Sequence, residues 1–147
     1  MKKLLILSLL LSLQVSVTSV MASTYDILRD MNVYRAKYNL APLQTDSRLC
    51  DLAKIRTEQI KTDWSHKQFQ AEIDKMPSMS GVFHENLART FEAQDVVWAW
   101  SMSQAGHREA MLIPEMKYGC VVQSGDYYSF EGYIPAKVEQ STYLATF

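Results

Sequence analysis

The apolar residues of this chain change their spacing near residue 118, and this change constrains the fold more than any other feature of the sequence. Before it, apolar residues recur every three or four positions, which predicts amphipathic helices. After it, Tyr, Val, Thr and Phe concentrate in residues 118–123, 127–134 and 141–147, which is typical of strands. Residues 124–126, Ser-Gly-Asp, predict a tight turn between the first two strands. Helices followed by an antiparallel sheet predict the α+β class.

Four helical segments are predicted ahead of these strands. They cover residues 23–38, 45–62, 90–103 and 107–112. We expect Ser23 to cap the first helix, whose apolar face extends to Tyr38. Thr90 is expected to cap the third helix and Met102 to lie on its buried side.

The second helix carries a charged residue on its apolar face. It is predicted to begin at Thr45 or Asp46, both good capping residues. Arg56 recurs at helical spacing with the leucines of this helix, so its guanidinium faces the interior. We therefore predict that Arg56 pairs with an acid.

Residues 83–88, Phe-His-Glu-Asn-Leu-Ala, predict a short extended segment with polar groups between apolar ones. Side chains alternate along a strand, so Glu85 and Leu87 should share one face, and His84 and Asn86 the other. His84 is therefore expected to point away from Glu85, outside any site that Glu85 helps to form.

The first 22 residues resemble a signal peptide. Lys2 and Lys3 form a positive start, residues 4–13 are apolar apart from two serines, and Val-Met-Ala at residues 20–22 fits a cleavage site. The apolar run is shorter than the roughly 20 residues that span a bilayer. We predict a signal peptide at residues 1–22, no transmembrane span, and a secreted or periplasmic domain at residues 23–147.

The charge balance argues against two classes of partner. The chain has 15 basic and 16 acidic residues, and removing Lys2 and Lys3 with the leader leaves 13 basic residues and a net charge of -3. No cluster of Lys and Arg remains, and nucleic acids and anionic membranes require such a cluster. Neither is predicted as a partner.

The chain contains two cysteines, Cys50 and Cys120. An even count in an exported chain predicts a disulfide, which here would tie the second helix to the strand at residues 118–123. The alternative is a pair of buried thiols.

Several short motifs occur in an order that resembles the CAP superfamily, which includes cysteine-rich secretory proteins, antigen 5, pathogenesis-related proteins and bacterial SCP domains. The motifs are Asn32-x-x-Arg35, Leu40-x-Pro42-Leu43, Asp46-x-x-Leu49, Ala53, Ser65-His66, Glu85-Asn86-Leu87-Ala88, Trp100 and Gly106-His107-Arg108-Glu109. They extend over nearly all of residues 25–147. The resemblance implies a three-layer α-β-α sandwich with a small antiparallel sheet between helices.

The resemblance also implies an open cavity lined by two histidines and two acids. Matched position by position, the histidines are His66 and His107 and the first acid is Glu85. Ser103 stands where the second acid is expected, so the set of four is incomplete. Three polar residues are expected at the cavity rim: Ser65, Asn86 and Ser103.

Three functions remain open at this point. The preferred one is a module whose cavity binds a lipid, a cell-wall fragment, another small ligand or an extracellular protein. The second is a hydrolase that uses Glu85, His66 and His107 as catalytic groups, with zinc at His66 and His107 as the cofactor considered. The third is a structural or toxin-like interaction protein whose cavity has no role.

Overall fold

A computed structural model describes residues 19–136, with side chains from residue 27 onward. The elements formed in this range are α1 Ser19–Ala36, α2 Ser47–Gln59, α3 Phe69–Ile73, β1 Gly81–Arg89, α4 Asp95–Ser101, α5 His107–Met111, β2 Tyr118–Ser124 and β3 Tyr127–Pro135. The predicted strand at residues 141–147 and the first 18 residues of the predicted signal peptide lie outside the described range. No helix within it is both long and apolar enough to cross a membrane.

The three strands form one antiparallel sheet in the order β1-β3-β2. A hairpin joins β2 to β3, as the Ser-Gly-Asp turn predicted, and Gly125 adopts a positive φ of 64° there. β1, which contains the predicted extended segment, pairs with β3 on the side opposite β2. It is therefore an edge strand. Its register places Glu85 directly opposite Glu131 of β3.

Helices cover both faces of the sheet, which gives the expected three layers. One face packs against α1, α4 and α5, and the other against α2. The core on the first side consists of Ile27, Leu28, Met31, Leu43, Ala88, Val96, Val97, Trp100, Met111, Met116, Val121, Tyr128 and Phe130. The core on the second side consists of Leu49, Ala53, Met79, Cys120, Val122 and Tyr133. The predicted α+β class is therefore confirmed.

α1 differs from its prediction at both ends. It begins at Ser19, four residues before Ser23, so Ser23 is not its capping residue. It ends at Ala36, and Asn39 follows with a left-handed φ of 57°. Tyr38 lies beyond the helix and is 44% exposed, which corrects its assignment to the apolar face.

α4 is shorter than predicted. Thr90 does not cap it: the Thr90 hydroxyl accepts a hydrogen bond from the Glu92 backbone N–H in a turn that precedes the helix. Met102, predicted to be buried, follows the last helical residue and is 66% exposed. Trp100 is fully buried, and its indole N–H donates to the Leu87 carbonyl of β1 at 2.9 Å.

α2 begins where its sequence predicted. The Asp46 carboxylate accepts from the Arg48 backbone N–H at 2.9 Å and caps the helix. Cys50 of α2 and Cys120 of β2 form a disulfide, so the predicted bridge links this helix to the sheet. The helix is thereby held with its buried face, including Arg56, against β2 and β3.

Candidate functional site

Glu85 lies on the face of β1 that looks toward α2, and its side chain is 1% exposed. Arg56 of α2 forms a two-pronged ion pair with it: Nε donates to Oε2 at 2.5 Å and Nη2 to Oε1 at 3.1 Å. Two parallel bonds of this kind are the strongest geometry for a guanidinium and a carboxylate. The acid predicted to pair with Arg56 is thus Glu85.

Arg56 also connects the parts of the chain around Glu85. Its remaining donors bind the Gln59 side chain at 2.6 Å and the Ser65 backbone carbonyl at 2.8 Å. The second bond fixes the loop that leaves α2. That loop carries His66, so one buried guanidinium positions both the carboxylate and the first histidine.

His66 reaches back to Glu85 through Nδ1, which lies 2.7 Å from Oε1. An ionised carboxylate only accepts hydrogen bonds, so Nδ1 carries the proton in this contact. In the neutral ring Nε2 is then left with a free lone pair. Because the His66 side chain is 55% exposed, this acceptor is open to a ligand.

His107 is the first residue of α5 and lies beside His66, with the two ring centroids 6.3 Å apart. The Asn86 amide donates to the His107 backbone carbonyl at 2.9 Å and ties α5 to β1. Burial lowers the pKa of His107, and the neighbouring His66 lowers it further. The ring is neutral at neutral pH for these reasons.

These side chains line one open cleft of about 310 Å³. Its walls consist of His66, Phe69, Phe83, His84, Glu85, Asn86, Ala105, Gly106, His107 and Ala110. All three histidines of the chain therefore face the same cleft.

His84 was expected to lie outside the site. It does point to the opposite face of β1 from Glu85, but β1 is an edge strand and the cleft continues around that edge. Burial lowers the pKa of His84 as well.

Two of the three predicted rim residues do not line the cleft. Ser65 contributes its backbone carbonyl to Arg56 instead. The Ser103 hydroxyl accepts from the Ala105 backbone N–H at 3.1 Å and stabilises the turn before α5. Asn86 is the rim residue that does contribute to the cleft wall.

The family model of the cysteine-rich secretory protein family, CAP, matches residues 28–135. This range includes every residue of the cleft. The chain belongs to the CAP family. The resemblance found from its motifs is therefore confirmed, while comparison with the curated proteins found no match.

Solved structures share the fold of this CAP domain. A cysteine-rich secretory protein from Staphylococcus aureus subsp. aureus Mu50 superimposes with a TM-score of 0.71 and 18% identity, over 81% of this chain and 41% of its own. An extracellular SCP-domain protein from Bacillus anthracis str. Ames superimposes with a TM-score of 0.69 and 19% identity, over 80% of this chain and 41% of its own. An outer surface protein from Borrelia burgdorferi superimposes with a TM-score of 0.68 and 21% identity, over 78% of this chain and 94% of its own.

At these identities the similarity shows the fold alone. The chain spans about two fifths of the length of the staphylococcal and Bacillus structures and nearly all of the Borrelia structure.

The CAP domain holds a second acid that the sequence did not reveal as part of the site. Glu131 of β3 is fully buried opposite Glu85, and the Ser129 hydroxyl donates to its Oε1 at 2.6 Å. Burial first, and then the charge of Glu85, raise the pKa of Glu131 well above its ordinary value of 4.5. The one sequence signal was an acid within an otherwise apolar strand.

The side chains of the cleft do not meet the needs of a zinc site. Catalytic zinc is usually held by three protein ligands. Within the described residues no group of three or more His, Cys, Asp or Glu side chains is arranged to hold an ion. Glu85 already binds Arg56 and His66 Nδ1, so His66 and His107 could offer one nitrogen each. This donor set is too small for a catalytic zinc site.

Acidification is expected to destabilise this CAP domain through His84 and His107. Both have a pKa below the ordinary 6.5, so as the pH falls the unfolded chain binds protons before the folded one does. The free energy of unfolding should decrease as the pH drops from about 6.5 toward the lowered values. His84→Gln should reduce this loss, measured as the change in Tm between about pH 7 and about pH 5.

Asp126→Asn is the control for this measurement, because Arg89 lowers the pKa of Asp126 below 3.8 and its charge is constant over that range. An unchanged pH dependence of Tm in His84→Gln would contradict the burial argument.

Proposed function

We propose that this CAP domain is an exported binding module whose cleft, between His66 and His107, binds a small ligand. The main support for this proposal is the burial and hydrogen bonding of the Glu85 carboxylate. Its carboxylate is 1% exposed and both oxygens accept hydrogen bonds from Arg56, with His66 as a further partner. A carboxylate held in this way orients a histidine and does not take a proton from a substrate.

The chemistry of the cleft suggests the kind of group it receives. A neutral His66 offers Nε2 as an acceptor, so a hydroxyl or an N–H of the ligand can donate to it. Phe69 and Phe83 add apolar wall beside it. The volume of about 310 Å³ is at the low end of the range for ligand sites. A small molecule fits, and so does the end group of a lipid, of a cell-wall fragment or of a protein segment.

The hydrolase alternative is less well supported. It requires Glu85 as a general base, but this carboxylate is occupied by Arg56 and His66. The position where the CAP resemblance implies a second acid carries Ser103, whose hydroxyl serves a backbone turn. Glu85 and Ser103 therefore do not supply the pair of acids that the resemblance implies.

Export is proposed from the sequence together with the comparisons. Residues 1–22 have the positive start, apolar run and small-residue cleavage site of a signal peptide. The Bacillus structure is described as extracellular and the Borrelia structure as an outer surface protein. A disulfide between Cys50 and Cys120 also suits an oxidising compartment.

A second candidate is protein interaction through the surface. Three large apolar side chains near α4 are strongly exposed: Phe91 at 88%, Trp98 at 65% and Met102 at 66%. Exposed apolar patches are typical of contact surfaces. Partner binding that is lost in Trp98→Ser and retained in His107→Ala would favour this function over the cleft.

The cleft is tested by NMR titration of the histidine ring signals. The probes are a soluble disaccharide-peptide fragment of cell wall and a short-chain lysophospholipid, added separately to the protein without its leader. We expect one of them to shift the ring signals of His66 and His107, because both rings line the cleft. His107→Ala should weaken that binding by about tenfold, the loss of roughly one hydrogen bond to a neutral partner.

Gln104→Ala is the matched control, since Gln104 is exposed in the preceding turn and does not line the cleft. Shifts confined to Trp64, Trp98 and other surface side chains, with the histidine rings unaffected, would contradict a ligand site in the cleft.

A further inference from the structure

Glu131 is the most deeply buried acid near the cleft. Its side chain is fully buried in β3, the central strand, on the face covered by α2. Residues directly opposite each other in an antiparallel pair have Cβ atoms about 5 Å apart on the same face. The carboxyls of Glu85 and Glu131 are therefore neighbours on the face covered by α2.

The charged groups around Glu131 do not balance two negative charges. Glu85 faces it from β1 and Arg56 from α2, while β2 presents Cys120, which is disulfide-bonded and does not titrate. The hydrogen bonds of the Arg56 guanidinium go to Glu85, Gln59 and Ser65, and none of these goes to Glu131. One guanidinium thus faces two buried acids.

The hydrogen bonds of Glu131 indicate where a proton lies. Oε1 accepts from the Ser129 hydroxyl, and Oε2 is buried with no hydrogen-bond partner among the described residues. Two buried carboxylates that face each other repel, whereas a carboxylic acid can donate its proton to a facing carboxylate. Glu85 already accepts from Arg56 and His66, so it is the charged member and Glu131 is the donor.

We propose that Glu131 is a positioning residue of the cleft, a neutral carboxylic acid that donates a hydrogen bond to Glu85 and holds Glu85 as the acceptor for Arg56 and His66. The assignment of His66 to a ligand site rests on the proposed function. The proton on Glu131 itself does not.

The consequence for His66 is a defined hydrogen-bonding role. With Glu131 neutral, one guanidinium and one carboxylate balance each other in the interior, and Glu85 remains the acceptor for His66 Nδ1. Nε2 of His66 is then the ring nitrogen left to contact a ligand. The proton on Glu131 therefore helps to fix which ring nitrogen of His66 meets the ligand.

The direct test is infrared spectroscopy of the ligand-free protein near neutral pH. A protonated carboxylic acid has a carbonyl stretch well separated from that of carboxylates. We expect this band in the native protein and its loss in Glu131→Gln, which replaces the acid with a neutral amide of the same shape. Glu72→Gln is the control and should keep the band, because Lys75 and Gln59 lower the pKa of Glu72. The proposal would be overturned if the native protein lacked the carboxylic acid band, or if Glu131→Gln still showed it.

The positioning role is tested on the ¹⁵N signals of the His66 ring. In the native protein and in Glu131→Gln we expect one tautomer, protonated at Nδ1, because both side chains donate to Glu85. Glu131→Ala removes the donor and should produce mixed or shifted ring signals.

Ring signals identical to native in a folded Glu131→Ala would overturn the positioning role. If that variant does not fold, the infrared comparison still decides whether Glu131 carries the proton. Neither measurement uses a ligand, so a failure to find ligand binding and a failure of this inference are separate results.

Discussion

Arg56→Met is expected to lower the free energy of unfolding by about 3–5 kcal/mol, the usual cost of removing one partner from a buried ion pair. The Arg56 and Glu85 side chains are 0% and 1% exposed, so Glu85 would lose its counter-charge without gaining water. The same change releases the Ser65 carbonyl and with it the loop that carries His66. Denaturant unfolding monitored by circular dichroism measures the loss.

Arg48→Met is the matched control, because Arg48 lies on the same helix and pairs with Asp46 while 50% of its side chain is exposed. Water screens that pair, so its removal should have a much smaller effect. The double variant Arg56→Met with Glu85→Leu should recover part of the stability, since no buried charge is left unpaired. Equal losses for Arg56→Met and Arg48→Met would contradict the role assigned to Arg56.

Replacing both cysteines by alanine is the second change with a large expected effect. The bridge joins residues 70 positions apart, and chain-entropy arguments give about 4 kcal/mol for a loop of that length. Cys120 is also buried beside Leu49 and Ala53, so the bridge fixes α2 against the sheet. Thermal or denaturant unfolding of Cys50→Ala with Cys120→Ala measures the effect.

A reductant provides the control for this experiment. It should destabilise the native protein by a similar amount and leave the double alanine variant unchanged. Mass analysis without reductant should find the native chain two hydrogens lighter than its reduced form. Two alkylatable thiols in the native protein would contradict the bridge.

Local signals in the sequence predicted much of the fold. Asp46 caps α2, Tyr118 begins β2, and Gly125 forms the hairpin turn, each by a short-range effect that does not depend on the rest of the chain. The exposed position of Met102 shows the limit. Helical spacing continued through Met102, but the helix ends before it, and spacing alone does not define a helix end.

The candidate site depends on the pairing of β1 with β3, which cannot be read from the sequence. Alternation along residues 83–88 correctly separated Glu85 from His84, yet it could not show that β1 is an edge strand with one cleft around it. The contact of Glu131 with Glu85 follows from the register of β1 and β3, which joins residues 46 positions apart. Whether an acid in a strand is exposed or buried can be decided only after its partner strand is known.

The family resemblance supplied His66, Glu85 and His107 as a set, and the structure supplied their roles. Glu85 binds Arg56 and orients His66, while His107 stays neutral because it is buried. Burial and the neighbouring His66 are the causes of its lowered pKa.

The central claim is that the cleft holds a ligand, and native mass spectrometry of the protein isolated from its own host tests it most directly. We expect a defined additional mass on the native protein, retained in Gln104→Ala and lost or much reduced in His107→Ala, because His107 lines the cleft and Gln104 does not. A protein that is repeatedly isolated with no added mass, or an added mass that His107→Ala leaves unchanged, would contradict the claim.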